Sequence, residues 1–248
     1  MPRGVGLNWI YDEARLQGRL WAPDVLWPSV WFDAADLSTL TLVSGNASGW
    51  RDKSGNGRHV SQATAANRPT YAESGLNGRP TLDWGTAANS KTLVNTTAFS
   101  NFNPKRFFAV ADYDGPNPPT EYFGLIRPNF TSSIDWVAVM NINTLTWFTN
   151  TQFHNGSPTA TLNAAPILHP FVLVNNTDCN TNRTTLNIGL DTGAANRGWR
   201  GKISEVIAID YVPSVAQRQV AEGYLAWKWG IRLDASHPFC NRPPLIGD

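Results

Sequence analysis

Short runs of alternating apolar and polar residues, repeated along nearly the whole chain, constrain its fold more than any other feature. A period of two puts every second side chain on one face of an extended strand, a pattern no α-helix satisfies. The pattern recurs at Thr81 to Trp84, Arg106 to Tyr113, Ile134 to Asn141, Leu145 to Asn150, Phe171 to Asn176, Arg183 to Leu190 and Lys202 to Ile209. Shorter instances lie at Val30 to Asp33, Arg58 to Ser61 and Glu121 to Arg127. Turn-forming strings such as Ser54-Gly55-Asn56-Gly57, Asn77-Gly78 and Asp114-Gly115-Pro116 separate them. Roughly ten to twelve short strands, with no helices alternating between them, predict an all-β chain of two antiparallel sheets packed face to face.

The interval from Asp135 to Asp178 carries no Asp, Glu, Lys or Arg between its ends, yet it holds Trp136, Val139, Trp147, Phe153 and Phe171. Disordered segments lack such residues, so it reads as further strands joined by Asn-rich and Gly-rich turns. One helix is predicted near the C-terminus. Ser214 can cap its first turn with Gln217 as reciprocal partner, Ala216, Val220, Gly223, Tyr224, Trp227 and Ile231 share a face, and Gly230 ends it. Tyr224 and Trp227 are read as its anchors on a sheet.

Composition divides the chain into three parts. Residues 1–28 form an apolar arm carrying Trp9, Ile10, Leu16, Leu20, Trp21, Leu26 and Trp27; residues 29–233 form the β-domain; residues 234–248 are Pro-rich and expected to be extended. The arm either folds back on its own domain or docks on another subunit, where Trp residues are the strongest anchors.

Twenty Lys and Arg against 19 Asp and Glu leave a formal charge of +1 over 248 residues, and only 16% of residues are charged. The basic residues are scattered singly, which argues against nucleic acid or an anionic membrane as partner. No apolar run approaches the ~20 residues that span a bilayer, and the N-terminus lacks the apolar core of a secretory signal, so folding in a cytoplasm is expected. Cys179 and Cys240 have no second Cys or His at metal-ligand spacing and read as two lone buried thiols.

Catalytic chemistry finds few candidates. Retaining glycosidases need two carboxyl groups about 5–5.5 Å apart. Asp112 and Asp114 are the nearest same-face pair, but they enter Gly115-Pro116, where Asp favours a turn. His59, His154, His169 and His237 lie in no nucleophile signature, and Ser54-Gly55-Asn56-Gly57 reads as a tight turn rather than a phosphate cradle. Calcium is the one metal to weigh: Asp52, Asn56, Asp112 and Asp114 are oxygen ligands of the type it takes, although Asp52 can equally bond the amides of its own turn. Eleven Trp among Asn, Asp and Arg suit sugar stacking, but a core and subunit contacts use Trp as well, so the faces of Trp136, Trp147 and Trp199 stay open.

Three longer strings carry a family resemblance. Trp31 to Leu40, followed by Gly49-Trp50-Arg51-Asp52-Lys53-Ser54-Gly55-Asn56-Gly57-Arg58 and Asn67-Arg68-Pro69-Thr70-Tyr71, resembles the opening of laminin-G-like modules in the concanavalin A-like lectin/glucanase superfamily. Asn77 to Trp84 is similar to the next family strand. Gly198 to Ile209 with Gln217 to Gly230 is similar to the closing strand and helix. The resemblance implies a two-sheet jelly roll with one C-terminal helix, of a subtype frequent in structural proteins of tailed bacteriophages and in bacterial surface proteins. The glucanases of that superfamily carry Glu-x-Asp-x-x-Glu on one strand, and none of Glu13, Glu73, Glu121, Glu205 and Glu222 fits it.

The expectation is therefore a non-enzymatic, cofactor-free virion protein, a capsid decoration or tail-associated module. It would be assembled in the host cytoplasm and displayed on the particle surface. Its arm would bind other virion proteins such as the major capsid protein, it would self-associate, for instance as a trimer, and it would present a lectin-like surface to glycans. A soluble or surface carbohydrate-binding module is the alternative, with a polysaccharide hydrolase or lyase behind it. Shared fold alone selects none of these.

Overall fold

The computed structural model describes residues 20–87, 89–115, 123–128, 137–140, 152–159, 170–176, 182–190 and 197–248. Its strands are β1 (Val30–Asp33), β2 (Leu40–Val43), β3 (Asn46–Trp50), β4 (Val60–Ser61), β5 (Thr70–Leu76), β6 (Arg79–Asp83), β7 (Leu93–Val94) and β8 (Arg106–Tyr113). They continue as β9 (Phe123–Pro128), β10 (Val137–Met140), β11 (Gln152–His154), β12 (Ser157–Thr159), β13 (Phe171–Asn176), β14 (Leu186–Ile188) and β15 (Gly201–Ile209), and one helix, α1 (Val215–Trp229), follows. The expected strand at Leu145 to Asn150 lies outside the described residues.

The expectation of a mainly antiparallel β chain with a C-terminal helix holds; the expected division into two sheets is not confirmed, because the strands connect as one curled sheet. Its order is β10-β9-β14-β7-β4-β3-β5-β6-β15-β8-β13-β11-β12, with β1 added on β15 and β2 on β3. The two halves are joined through β5, which completes a long ladder with β6 but meets β3 at the single pair Asn46 and Thr70. A hairpin turn at Asn77-Gly78, with φ of +50° and +79°, sets the β5–β6 register. Side chains from both halves, among them Trp50, Val60, Leu93 and Ile188 on one and Phe32, Trp84, Phe107 and Val206 on the other, meet in one core.

The outer face of β8, β13 and β15 is buried too, beneath α1. Phe107, Ala109, Ala111 and Tyr113 of β8 point into the first core, whereas Phe108 and Val110 join Val172, Val174, Ile207, Ile209, Tyr224 and Trp227 in a second. A strand buried on both faces reads as a continuous apolar run, which is why Phe107 to Ala111 carries no polar residue. Helix α1 forms where its caps predict. Ser214 Oγ accepts the Gln217 N–H at 3.2 Å, Gln217 Oε1 accepts the Ser214 N–H at 2.9 Å, and Gly230 stops the helix at φ +65°. Ser214→Ala should cost about 1 kcal/mol in urea denaturation.

Residues 234–248, expected to be extended, instead turn back over α1. His237, Phe239, Pro243 and Pro244 are buried, and the Phe239 carbonyl accepts the Trp227 indole N–H at 2.7 Å. The apolar face of α1 supplies the reason: Gly223 leaves room for Phe239, whose side chain would lie 2.8 Å from any added Cβ. No helix among the described residues is long and apolar enough to cross a membrane.

Candidate functional site

A β-bulge places the most unusual side chain of the molecule. On β15, Lys202 and Ile203 oppose Asp112 and Ala111 of β8, but the register shifts before Glu205, which opposes Val110. The extra residue, Ser204, is held by Thr81 Oγ1 at 2.9 Å. The shift lets Ile203 and Val206 both reach the inner core while Glu205 turns towards α1. On its other side Glu205 stands directly across from Asp33 of β1. Two carboxylates thus share one face of a strand pair, and both are buried.

Helix α1 supplies their counter-charge. Lys228 Nζ lies 2.8 Å from Asp33 Oδ2 and 2.7 Å from Glu205 Oε2. Glu205 also accepts the indole N–H groups of Trp31 at 2.8 Å and Trp229 at 2.7 Å, and the Tyr224 hydroxyl at 3.1 Å. Four donors thereby fill its two oxygens. Asp33 is shared outward: Lys53 Nζ is 3.0 Å from Asp33 Oδ2 and 2.9 Å from Asp36 Oδ2, and it stacks 4.4 Å above the Trp31 ring.

Burial pushes the Glu205 carboxyl above its ordinary value. Burial acts on Asp33 in the same sense, but the charges and hydrogen bonds of Lys228 and Lys53 outweigh it and hold Asp33 below its ordinary value. Asp36, whose carboxylate accepts both the hydroxyl and the N–H of Ser38, is lowered too, chiefly by those bonds. The outer end of this network opens on a groove of about 610 Å³, walled by Trp21, Trp31, Ala35, Pro80 and the Asp36–Lys53 pair. A second buried set ties the C-terminal segment to α1: Glu222 meets Arg218 at 2.6 Å and His237 Nε2 at 3.0 Å, and His237 Nδ1 accepts the Phe239 N–H.

The residues singled out from sequence fall elsewhere. Of the arm, Trp9, Ile10 and Leu16 lie outside the described residues. Trp21 and Leu26 are buried in the second core with Leu20 packed against it, and Trp21 meets Tyr224 edge-on at 5.7 Å, whereas Trp27 is 85% exposed. The oxygen ligands weighed for calcium do not converge. Asp52 accepts the N–H groups of Trp31, Ser54 and Arg58 and the Ser54 hydroxyl, and the Asn56 amide donates to the Pro28 and Ser29 carbonyls, so both pin their loop to β1. Asp112 and Asp114 flank Lys202 at 3.6 and 2.7 Å. Among the described residues no group of three or more His, Cys, Asp or Glu is arranged to hold a metal.

Trp199 is a core residue, while Trp136, Trp147, His169 and Cys179 lie outside the described residues. Cys240, expected as a buried thiol, is a free thiol only half-buried in the C-terminal segment.

Sequence reasoning missed Asp33, Asp36, Lys53 and Lys228, and it weighed Glu205 only against a family motif. A signal existed: Glu205 is a lone carboxylate in the apolar run Ile203 to Ile209, and Lys228 lies one turn beyond Tyr224 on a helix that buries its apolar face. Each needs a buried counter-charge, and the chain offers few.

With this geometry in view, the molecule is a β-rich chain whose single curled antiparallel sheet is clamped to a C-terminal helix by a buried ion network. No family model, curated protein or solved structure matches this chain.

Proposed function

We propose that the chain is a non-enzymatic structural protein of a tailed-phage virion. It is a laminin-G-like, concanavalin A-like jelly roll that rides on the capsid or tail and holds other virion proteins, such as the major capsid protein, through its N-terminal arm. The observation that carries the reading is Trp27, 85% exposed on a backbone φ of +50°, at the inner end of that arm. The left-handed backbone, unfavourable for a bulky side chain, closes the 3-10 turn Pro23–Leu26, where the Asp24 carbonyl accepts the Trp27 N–H at 3.0 Å, but an exposed indole gains nothing from burial, so the side chain itself does not serve the isolated fold. Val25, Val212 and Val215 are exposed as well, and the Tyr211 hydroxyl bonds the Leu26 carbonyl at 3.1 Å, which brings the stretches carrying them together. The neutral Asn and Thr content suits a surface buried against copies of itself, for instance in a trimer.

Trp27→Gly relieves the backbone and removes the anchor. It should raise unfolding stability by about 0.5–1 kcal/mol while particles purified from the variant phage lose most of the protein by quantitative mass spectrometry. Wild-type protein missing from purified particles would sink the virion reading, and full occupancy by the variant would remove Trp27 from attachment.

The lectin-like alternative, a soluble or surface carbohydrate-binding module, draws its support from the groove beside Asp36 and Lys53. A hydrolase or lyase is disfavoured because Glu205 spends both oxygens on four protein donors and does not line the groove.

A further inference from the structure

We propose that Lys228 and Asp33 condense into an isopeptide bond, a covalent link from α1 to β1 formed within the chain, with Glu205 carrying the protons. The three side chains are held as reactants. Lys228 Nζ lies 2.8 Å from Asp33 Oδ2, whose Cγ is the carbon to be attacked, so nucleophile and electrophile are kept together by the docking of α1 on the sheet. Lys228 Nζ also donates to Glu205 Oε2 at 2.7 Å and to the Tyr224 hydroxyl at 3.1 Å, and that hydroxyl donates in turn to Glu205 Oε1 at 3.1 Å. Two routes therefore lead from the amine to the second carboxylate, which the indoles of Trp31 and Trp229 hold in place.

The step balances without any other reagent. A proton passes from the Lys228 ammonium to Glu205, and burial, which pushes the Glu205 carboxyl above its ordinary value, favours the neutral acid so formed. The amine lone pair then attacks Asp33 Cγ. Oδ1, which accepts the Ala35 N–H at 3.1 Å, remains as the amide oxygen, and Lys53, 3.0 Å from Oδ2, draws off the negative charge that would otherwise repel the nucleophile. The C–N bond forms and the Cγ–Oδ2 bond breaks. Oδ2 departs as water, with one proton lost by the nitrogen and one returned by Glu205, and nothing is oxidised or reduced. Asp33 and Lys228 are only 4% and 5% exposed, so condensation replaces two desolvated charges by a neutral amide. Both line the groove beside Lys53, which gives the water a way out. The product joins the strand that follows the N-terminal arm to the helix that closes the fold, so that a pull on the arm is borne by a covalent bond.

Intact-mass spectrometry of the full chain, folded at neutral pH and then denatured, tests this together with tandem sequencing of its proteolytic peptides. The wild type should be lighter than its sequence by one water, with the peptide holding Asp33 joined to the peptide holding Lys228. Lys228→Arg should keep its full mass, and so should Glu205→Gln, which is close in shape but cannot carry the proton. Asp33→Asn offers an electrophile whose leaving group is ammonia and should link with the loss of one ammonia instead. Near-UV circular dichroism establishes that each variant is folded, and because the wild-type mass is decisive by itself, a variant that does not fold leaves the test standing. Folded wild type at its full mass would overturn the proposal, as would a loss of water confined to a single peptide. A folded Glu205→Gln variant as fully linked as the wild type would overturn the role of Glu205.

Discussion

Glu205→Ala should destabilise the fold by about 3–5 kcal/mol, the largest loss expected of any single polar substitution in this chain. Little of that loss is the attraction of one ion pair. With the carboxylate gone, the indole N–H groups of Trp31 and Trp229 lose their buried acceptor, the Tyr224 hydroxyl loses its own, and the Lys228 ammonium keeps only Asp33 among its carboxylate partners. Water cannot replace them, because Glu205 has no exposed surface. Removing the cation as well recovers little of the loss: Glu205→Leu combined with Lys228→Met still leaves the Trp31 and Trp229 indoles and the Tyr224 hydroxyl without this acceptor and takes Lys228 from Asp33, so the pair should lose about as much as Glu205→Ala alone, about 3–5 kcal/mol. Urea denaturation of the two variants checks both numbers. A loss below about 1 kcal/mol for Glu205→Ala would mean that the network does not clamp α1 to the sheet.

The network also shows where sequence reading stops. Helix α1 was legible to the residue at its caps, because Ser214, Gln217 and Gly230 act on neighbours within one turn. Strands β8 and β13 were legible end to end, because each is a short apolar run rich in aromatic and β-branched residues and bounded by polar ones. The bulge at Ser204 was not, because it is defined by the strand opposite; counting alternate residues from Ile203 puts Glu205 in the inner core, where Val206 in fact lies. Asp33, Lys53, Glu205 and Lys228 come together only through the β1–β15 pairing and the docking of α1, neither of which a local pattern encodes. The Trp count was silent on placement for the same reason. Among the described residues Trp50, Trp84, Trp199 and Trp229 are fully buried and fill the two cores. The single sheet, expected as two, turns on the lone pair Asn46 and Thr70, which composition cannot report.

Acid should weaken the fold already between pH 6.5 and 4, and His154 is the reason. It sits on β11 with its ring 5.5 Å from that of Phe171, and its Nε2 is buried without a hydrogen-bond partner among the described residues. Burial pushes its pKa down from 6.5 to about 4. The unfolded chain therefore takes up this proton at higher pH than the folded one, and stability must fall as the pH is lowered through that interval. The contribution of His154 is whole above its unfolded pKa near 6.5 and is lost progressively down to about pH 4, a change of about 2–3 kcal/mol. Asp33 acts in the same direction only further down: its folded value lies below the ordinary one, so its share of stability persists until the pH falls through the unfolded carboxylate range. The two groups separate by mutation. His154→Phe should flatten the slope between pH 6.5 and 4 and leave the steeper loss at lower pH in place, as followed by urea midpoints across that range. A slope unchanged by His154→Phe would assign it to another group and show that the His154 ring accepts its proton without leaving the fold.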